Sequence, residues 1–243
     1  MSKTLLLGGT AEARRLARTL HQTGADVVTA LAGLTEADYD GAVRVGGFGG
    51  ETGLVEALRE GAFTRLVDAT HPFAARISRS AQKAAAQAAI PYLRLERQPW
   101  QPPSGVVWQE AETLTDAADL LVTGEHVFAA VGAKSLAPFV ARRDVRLTVR
   151  ALADPDLGGR CDVTVIKGRP GKLDEERALF KAMGFDRLVT KNAGGNAAAG
   201  KLQAAYELGV PVLMVQRPTG QPKADATSVE GMLALLGAAP SDG

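Results

Sequence analysis

Glycines and a threonine at the end of the first predicted strand could bind an anion. Leu7–Thr10 reads Leu-Gly-Gly-Thr between a short apolar run and a predicted helix. Glycines let the backbone approach a ligand, and the free N–H groups of a helix start attract phosphate. Gly8, Gly9 and Thr10 are therefore candidates for binding the pyrophosphate of a dinucleotide. The segment lacks the complete G-x-G-x-x-G pattern, so the alternative is a tight turn in which Thr10 only caps the helix.

A histidine follows another apolar strand, in the segment Asp68–Ala74. Pro72 suits the first position of the helix that follows, and Thr70 or His71 suits its cap. His71 would then lie at the carboxyl end of a strand, where it could donate or accept a hydrogen bond to a ligand. His71 is thus the candidate catalytic residue, with a structural cap as the alternative. Asp68 could orient His71 or bind a ribose.

Basic side chains recur at strand ends in the second half of the chain. Val131–Ser135 repeats the strand–glycine–helix layout, and its lysine at a helix start is unfavourable unless an anion binds there. Thr190–Asn196 ends a further apolar strand with a lysine and two glycines, and Arg217 ends the last one. The candidates for binding an anionic substrate are Lys134, Ser135, Lys191, Asn192, Gly194, Gly195, Lys201 and Arg217. So many candidates predict a ligand with several carboxylates in addition to a dinucleotide.

Short apolar strands alternate with alanine-rich helices along the chain, which predicts an α/β fold with parallel sheets covered on both faces. The predicted strands are Thr4–Leu7, Asp26–Leu31, Val43–Val45, Arg65–Ala69, Tyr92–Leu95, Val106–Gln109, His126–Val131, Val145–Val149, Cys161–Ile166, Leu188–Lys191 and Val212–Gln216. The predicted helices are Ala11–Gln22, Gly53–Arg59, Phe73–Ala89, Leu114–Leu121, Ser135–Ala141, Leu173–Met183, Asn196–Leu208 and Val229–Leu236.

The proline-rich segment Gln98–Gly105 interrupts this alternation, because prolines support neither a ladder nor a helix interior. It predicts a connection between two α/β domains, residues 1–97 and residues 98–243. One continuous doubly wound sheet is the competing architecture.

Composition limits the class of protein. Hydrophobic residues make up 46% and charged residues 23%, as in soluble globular proteins, and 28 basic side chains balance 27 acidic ones. We therefore expect no nucleic-acid partner. The lone Cys161 and three scattered histidines predict no disulfide and no bound metal. The apolar run at the N-terminus is too short for a signal peptide or a membrane span, so we expect a cytoplasmic protein with no membrane partner.

The second predicted strand carries a clue to the cofactor. A typical NAD site has an acidic residue at the tip of this strand, where it binds the ribose hydroxyls. Here the strand runs into Ala30–Gly33, which contains no acid. The absence of a carboxylate removes a repulsion against a 2′-phosphate and favours NADPH.

Taken in order, these motifs resemble the precorrin-6A reductase family over nearly the whole chain. The matching segments are Leu7–Glu12, Asp68–Ala74, Thr190–Gly195, Lys201–Ala205 and Val215–Pro218. The resemblance implies two Rossmann-like domains with the active site in the cleft between them. It also implies NADPH-dependent reduction of precorrin-6A to precorrin-6B in cobalamin biosynthesis. On the same ground, Glu12 and Thr70 join Gly8, Gly9, Thr10 and Asp68 as cofactor-binding candidates.

Other readings stay open. The substrate could be the cobalt-bearing form, reduced with NADH, or the chain could be a non-enzymatic sensor that binds NADPH. An epimerase of the short-chain dehydrogenase type would need a Tyr-x-x-x-Lys pair, and none of Tyr39, Tyr92 and Tyr206 has a lysine four residues later. The oligomeric state stays open as well, with a monomer as one alternative.

Overall fold

The structure, a computed structural model, describes residues 2–33 and 39–238. Its contacts divide the chain into two compact units. The first contains the described residues up to Gln98 and those from Thr219 onward, and the second is Pro99–Pro218. This division differs from the sequence-based domains, 1–97 and 98–243, because the chain returns to the first unit after Pro218.

Strands and helices alternate in both units. The strands are β1 Lys3–Leu7, β2 Asp26–Leu31, β3 Ala42–Val45, β4 Arg65–Asp68, β5 Tyr92–Arg94, β6 Gln109–Ala111, β7 His126–Ala130, β8 Arg146–Ala151, β9 Thr164–Lys167, β10 Arg187–Lys191 and β11 Val212–Val215. The helices are α1 Ala11–Gln22, α2 Glu51–Glu60, α3 Ala75–Gln87, α4 Leu114–Asp119, α5 Ala137–Ala141, α6 Leu173–Met183, α7 Gly200–Glu207 and α8 Val229–Leu236, with a 3-10 turn at Ala133–Ser135.

Each unit has its own parallel sheet, which confirms the predicted α/β class and excludes one continuous sheet. The first sheet has the order β3-β2-β1-β4-β5, and the second has the order β6-β11-β10-β7-β8-β9. In the first sheet the chain leaves β1 towards β2 and later returns to its other side as β4. In the second sheet β7 and β10 have the same relation. Ligands of such sheets bind outside the carboxyl ends of the two strands where the order reverses.

The core of the first unit explains why the end of the chain belongs to it. Helix α1 buries Leu16 and Leu20 on one face, and α8 buries Met232 and Leu236 in the same cluster. Burial contributes roughly 1.5–3 kcal/mol for each such side chain. Just before α8, Ala226 forms a parallel bridge with Leu95 beyond the end of β5. The sheet of the first unit is therefore covered partly by residues from the far end of the sequence.

The core of the second unit is aromatic. Phe128 of β7 stacks on Phe185 with ring centroids 4.8 Å apart, and Phe180 of α6 meets Phe185 edge-on at 5.2 Å. This packing fixes β7, whose carboxyl end forms one side of the candidate site in this unit. Within the described residues, no helix is both long and apolar enough to cross a membrane.

Candidate functional site

Thr10 ties together the two loops at the strand reversal of the first sheet. Its hydroxyl accepts a hydrogen bond from the Ala13 N–H (3.0 Å), which caps α1, and donates to the Ala69 carbonyl beyond β4 (2.8 Å). Because the hydroxyl hydrogen is used in this way, Thr10 has no side-chain hydrogen left for a phosphate oxygen. Any phosphate bound at this turn would therefore depend on backbone N–H groups.

The two glycines before Thr10 have different roles. A Cβ on Gly8 would lie 3.0 Å from side-chain carbons of Thr29 and Leu31, so Gly8 allows close packing against β2. Gly9 has a φ of +115°, which other residues rarely adopt, and a Cβ there would meet no atom of the described residues within 4 Å. Among the described residues, Gly9 thus borders open space on the side of its Cβ position, at the start of α1, as expected for a backbone that a ligand approaches.

Asp68, at the end of β4, is buried and holds the next loop in place. One carboxylate oxygen accepts from the Thr70 N–H (3.0 Å) and the Thr70 hydroxyl (2.7 Å), and the other accepts from the Tyr92 hydroxyl (2.8 Å). Burial, together with the adjacent Asp68 carboxylate, raises the pKa of Tyr92 above its ordinary value, so Tyr92 stays a donor. Asp68 therefore orients the loop through Thr70, and neither residue contacts the His71 ring in these bonds.

His71 lies in a turn and not in a helix cap. The Ala74 N–H donates to the His71 carbonyl (2.7 Å), and α3 begins only at Ala75. The interpretation of Pro72 as the first helical residue is therefore wrong, because Pro72 lies within this turn. The Phe73 N–H donates to Nδ1 of His71 (3.2 Å), which leaves the ring hydrogen of the neutral form on Nε2.

Glu12, in the first turn of α1, forms an ion pair with Arg97. The Arg97 Nη1 lies 2.6 Å from the Glu12 carboxylate, and both side chains are largely buried. The pair brings a guanidinium from beyond β5 to the start of α1. The predicted residues Gly8, Gly9, Thr10, Glu12, Asp68, Thr70 and His71 thus all lie at the carboxyl edge of the first sheet.

Lys191 and Ser135 meet at the strand reversal of the second sheet. Lys191 ends β10, Ser135 follows β7, and the Lys191 ammonium donates to the Ser135 hydroxyl at 2.6 Å. Burial lowers the pKa of Lys191 below its ordinary value. By contrast, Lys134 is exposed and forms no ion pair or hydrogen bond within the part of the chain that the structure describes.

The loop after β10 is built around Trp100. The buried Asn192 accepts from the Trp100 N–H (2.8 Å) and donates to the Trp100 carbonyl (3.1 Å), and the indole N–H donates to the Gly195 carbonyl (2.7 Å). The Lys201 ammonium lies over the indole ring at 4.7 Å and donates to the Ala198 carbonyl (2.8 Å). Both groups of the Asn192 amide are thus used inside the protein, and Lys201 is buried. Asn192 and Lys201 shape this loop.

Arg217, beyond β11, supports the same loop from the other side. Its Nε donates to the Asn192 carbonyl (2.9 Å) and its Nη2 to the Ala193 carbonyl (3.3 Å). Gly194 and Gly195 both have positive φ angles, 70° and 74°, and form the bend. Ser135, Lys191, Asn192, Gly194, Gly195 and Arg217 therefore gather at the carboxyl ends of β7, β10 and β11.

Comparison with known proteins identifies the family. The family model described as "Precorrin-6x reductase CbiJ/CobK" matches residues 3–237. The chain belongs to the precorrin-6x reductase family. It is 40% identical over 243 residues to a precorrin-6A reductase of Rhodococcus erythropolis, with 98% of each chain covered. It is 33% identical to a cobalt-precorrin-6A reductase of Priestia megaterium, covering 88% of this chain and 90% of the relative.

A solved structure agrees with this family assignment. The structure titled "CobK precorrin-6A reductase" superposes with a TM-score of 0.91 at 35% identity, covering 98% of this chain and 96% of that one. The resemblance found in the sequence motifs is thereby confirmed, and so is the α/β fold with two parallel sheets.

Three residues at the two sites are not predicted by the sequence motifs. Trp100 lies in the proline-rich segment, which the sequence predicts only as a connection. Its large apolar ring and its indole N–H donor are the signal that this segment packs against a neighbour. Arg97 and Tyr39 have no such signal, because their partners, Glu12 and Gly9, are distant in the sequence. The Tyr39 hydroxyl accepts from the Gly9 N–H, at the turn where a phosphate was expected.

Proposed function

We propose that this member of the precorrin-6x reductase family uses NADPH to reduce one double bond of precorrin-6A, which gives precorrin-6B. The observation that carries the proposal is the 40% identity to a precorrin-6A reductase along 98% of both chains. The cobalt-precorrin-6A reductases are less similar, with 33% identity for that of Priestia megaterium, which favours the metal-free substrate. Because both of these relatives are named as reductases, we prefer an enzyme to a sensor that only binds the cofactor.

The turn before α1 fits a dinucleotide. Gly9 borders open space, and the first turn of a helix has N–H groups without an intrahelical partner, which favour a pyrophosphate. The tip of β2, at Ala32 and Gly33, carries no charge, so nothing at these two positions opposes a 2′-phosphate. Gly8, Gly9 and Thr10 would form this site, Glu12 would position Arg97 beside it, and Asp68 and Thr70 would shape the neighbouring loop.

When bound, the cofactor supplies a hydride to one end of a conjugated system, and a proton must reach the other end. The chain's own contribution is to orient the macrocycle and hold its carboxylates. Lys191, Ser135 and Arg217 are the groups that we assign to the carboxylates, with the exposed Lys134 as a further cation. Gly194 and Gly195 would let the backbone approach, while Asn192 and Lys201 keep their loop in shape.

The His71→Ala variant tests whether His71 acts as a polar, proton-transferring group beside the face of the macrocycle that is reduced. We expect kcat to fall by about 10²-fold, the usual contribution of a positioned proton-transfer group, while NADPH affinity stays unchanged. Single-turnover rates and NADPH titrations measure the two effects separately. Normal turnover and normal substrate affinity in His71→Ala would exclude the role.

The lowered pKa of Lys191 predicts that substrate binding depends on pH. Its ammonium is charged below its pKa, which burial holds under the ordinary value of 10.5. As the pH rises through the lowered pKa, Lys191 loses its charge, and we expect the KM for the substrate to increase by about tenfold, the value of one charge-assisted hydrogen bond. In Lys191→Arg the side chain should stay charged, so the KM should no longer rise in this pH range. The control Lys134→Arg should show the same rise in KM as the wild-type protein. If the rise in KM persisted unchanged in Lys191→Arg, Lys191 would be ruled out as its cause.

The activity itself is tested by anaerobic NADPH oxidation with purified protein and metal-free precorrin-6A, with the nicotinamide and macrocycle spectra followed together. We expect coupled changes and a product heavier by two hydrogen atoms in its mass spectrum. Turnover only with cobalt-precorrin-6A, or only with NADH, would replace the substrate or cofactor in the proposal. Cofactor binding without turnover of either substrate would favour the sensor.

A further inference from the structure

The phenol of Tyr39 covers the glycine turn of the first unit. The Gly9 N–H donates to the Tyr39 hydroxyl at 2.8 Å, and this hydroxyl also lies 3.4 Å from the Thr10 carbonyl. A Cβ on Gly8 would lie 3.1 Å from the same oxygen, so the hydroxyl sits directly over the turn. The Tyr39 side chain packs against the core cluster that contains Leu16. The position of the hydroxyl is therefore supported by both packing and hydrogen bonding.

The Gly9 N–H is one of few donors that a pyrophosphate could use here. The Gly8 N–H donates to the Ala30 carbonyl at 2.9 Å, and the Thr10 hydroxyl donates to Ala69. The Ala13 N–H is used as well, because it donates to the Thr10 hydroxyl. What remains at the turn is the Gly9 N–H and the N–H groups that precede Ala13 at the start of α1, which no helical carbonyl accepts. Among these, the Gly9 N–H already donates to the neutral phenol oxygen of Tyr39, so an anionic oxygen could use this donor only by replacing the phenol.

We propose that Tyr39 sets the cofactor affinity of this enzyme, because its hydroxyl and a pyrophosphate oxygen compete for the Gly9 N–H. This inference rests on the proposed cofactor site. A hydrogen bond to an anionic oxygen is roughly twice as strong as one to a neutral oxygen, so the exchange favours the bound cofactor. Each binding event nevertheless breaks the bond between Gly9 and Tyr39. The tyrosine thus weakens cofactor binding by the net strength of one neutral hydrogen bond.

The Tyr39→Phe variant removes the competing hydroxyl and keeps the ring that packs on the core. The net value of such a bond, measured against water, corresponds to about a fivefold change in an equilibrium constant. We therefore expect the Kd for NADPH, measured by calorimetric titration without substrate, to fall about fivefold. Tyr206→Phe, which removes the hydroxyl of an exposed tyrosine in α7, is the matched control and should leave the Kd unchanged.

A second readout follows the hydrogen bond itself. In 15N–1H spectra of the wild-type protein, the Gly9 amide should shift when NADPH is added. In Tyr39→Phe without cofactor, the same amide should already have left its wild-type position. Unfolding midpoints of the variants show whether the fold is kept.

The outcomes separate the inference from the proposed function. If the wild-type protein binds NADPH and Tyr39→Phe binds it equally well or more weakly, competition by Tyr39 is wrong. An unshifted Gly9 amide in Tyr39→Phe would overturn it as well, even if the variant were less stable. Failure of the wild-type protein to bind NADPH or NADH would instead overturn the cofactor site together with the role of Tyr39.

Discussion

Replacing Gly9 by alanine is expected to raise the Kd for NADPH by at least about tenfold, the equivalent of 1.4 kcal/mol. At its φ of +115°, a side chain strains the backbone by roughly 1–3 kcal/mol. The turn must then either bear the strain or reshape and turn the Gly9 N–H away. If it keeps its shape, the new methyl group occupies the open space at the start of α1, where we propose that the pyrophosphate binds. Both responses weaken cofactor binding, which calorimetric titration measures.

Gly24 provides the matched control for Gly9. It also has a positive φ, 73°, and a Cβ there would meet no atom within 4 Å among residues 2–33 and 39–238, but it lies in the turn between α1 and β2, at the amino edge of the sheet. Gly24→Ala should therefore lower the free energy of unfolding by about 1 kcal/mol and leave the Kd for NADPH unchanged. Equal effects of the two substitutions on the Kd would argue against a cofactor at Gly9.

Replacing Asp68 by alanine is expected to lower the free energy of unfolding by about 3 kcal/mol and to reduce kcat. The substitution leaves the Tyr92 hydroxyl and two Thr70 donors without their acceptor, and a lost hydrogen bond to a charged group is worth about 1.5–3 kcal/mol. The same loop carries His71, and a misplacement of about 1 Å can slow catalysis by about 10²-fold. Denaturant unfolding and single-turnover kinetics measure the two losses.

Tyr92→Phe separates the parts of this network. It removes one of the three donors to Asp68 and should lower the free energy of unfolding by about 1.5 kcal/mol, the lower end of that range, with kcat nearly unchanged. In the Asp68→Ala/Tyr92→Phe double variant, the loss of unfolding free energy should be smaller than the sum of the two single losses, because the Tyr92 donor is no longer left unpaired. Strict additivity would show that Asp68 and Tyr92 do not interact in solution.

Elements with a clear local pattern could be predicted to the residue. Helices α1, α6 and α8 have the predicted bounds, since apolar residues at helical spacing and local capping signals define them. Strand β6 was predicted at Val106–Gln109 but lies at Gln109–Ala111. It is an edge strand with mostly exposed, polar residues, whereas Val107 is apolar but 92% exposed. Helices α3 and α7 begin later than predicted, because turns at His71–Ala74 and in the loop after β10 precede them.

The candidate site was predictable only as far as strand ends determine it. Parallel strands place Gly9, Asp68 and Lys191 at carboxyl edges, so their positions follow from the alternation of elements. The sequence could not tell which hydroxyls and amides are used inside the protein. That Thr10 donates to Ala69, and that Asn192 holds Trp100, depends on which strands and loops become neighbours. The same limit applies to the end of the chain, where Ala226 pairs with Leu95.

The return of the chain to the first unit has a consequence for biosynthesis on the ribosome. Residues up to Gln98 emerge first, but the cluster beside α1 lacks Met232 and Leu236 until the last helix has been made. The whole of Pro99–Pro218 is translated in between, with every strand of its own sheet. During translation the nascent first unit therefore exposes apolar surface that chaperones could bind, and the half that begins synthesis first is completed last.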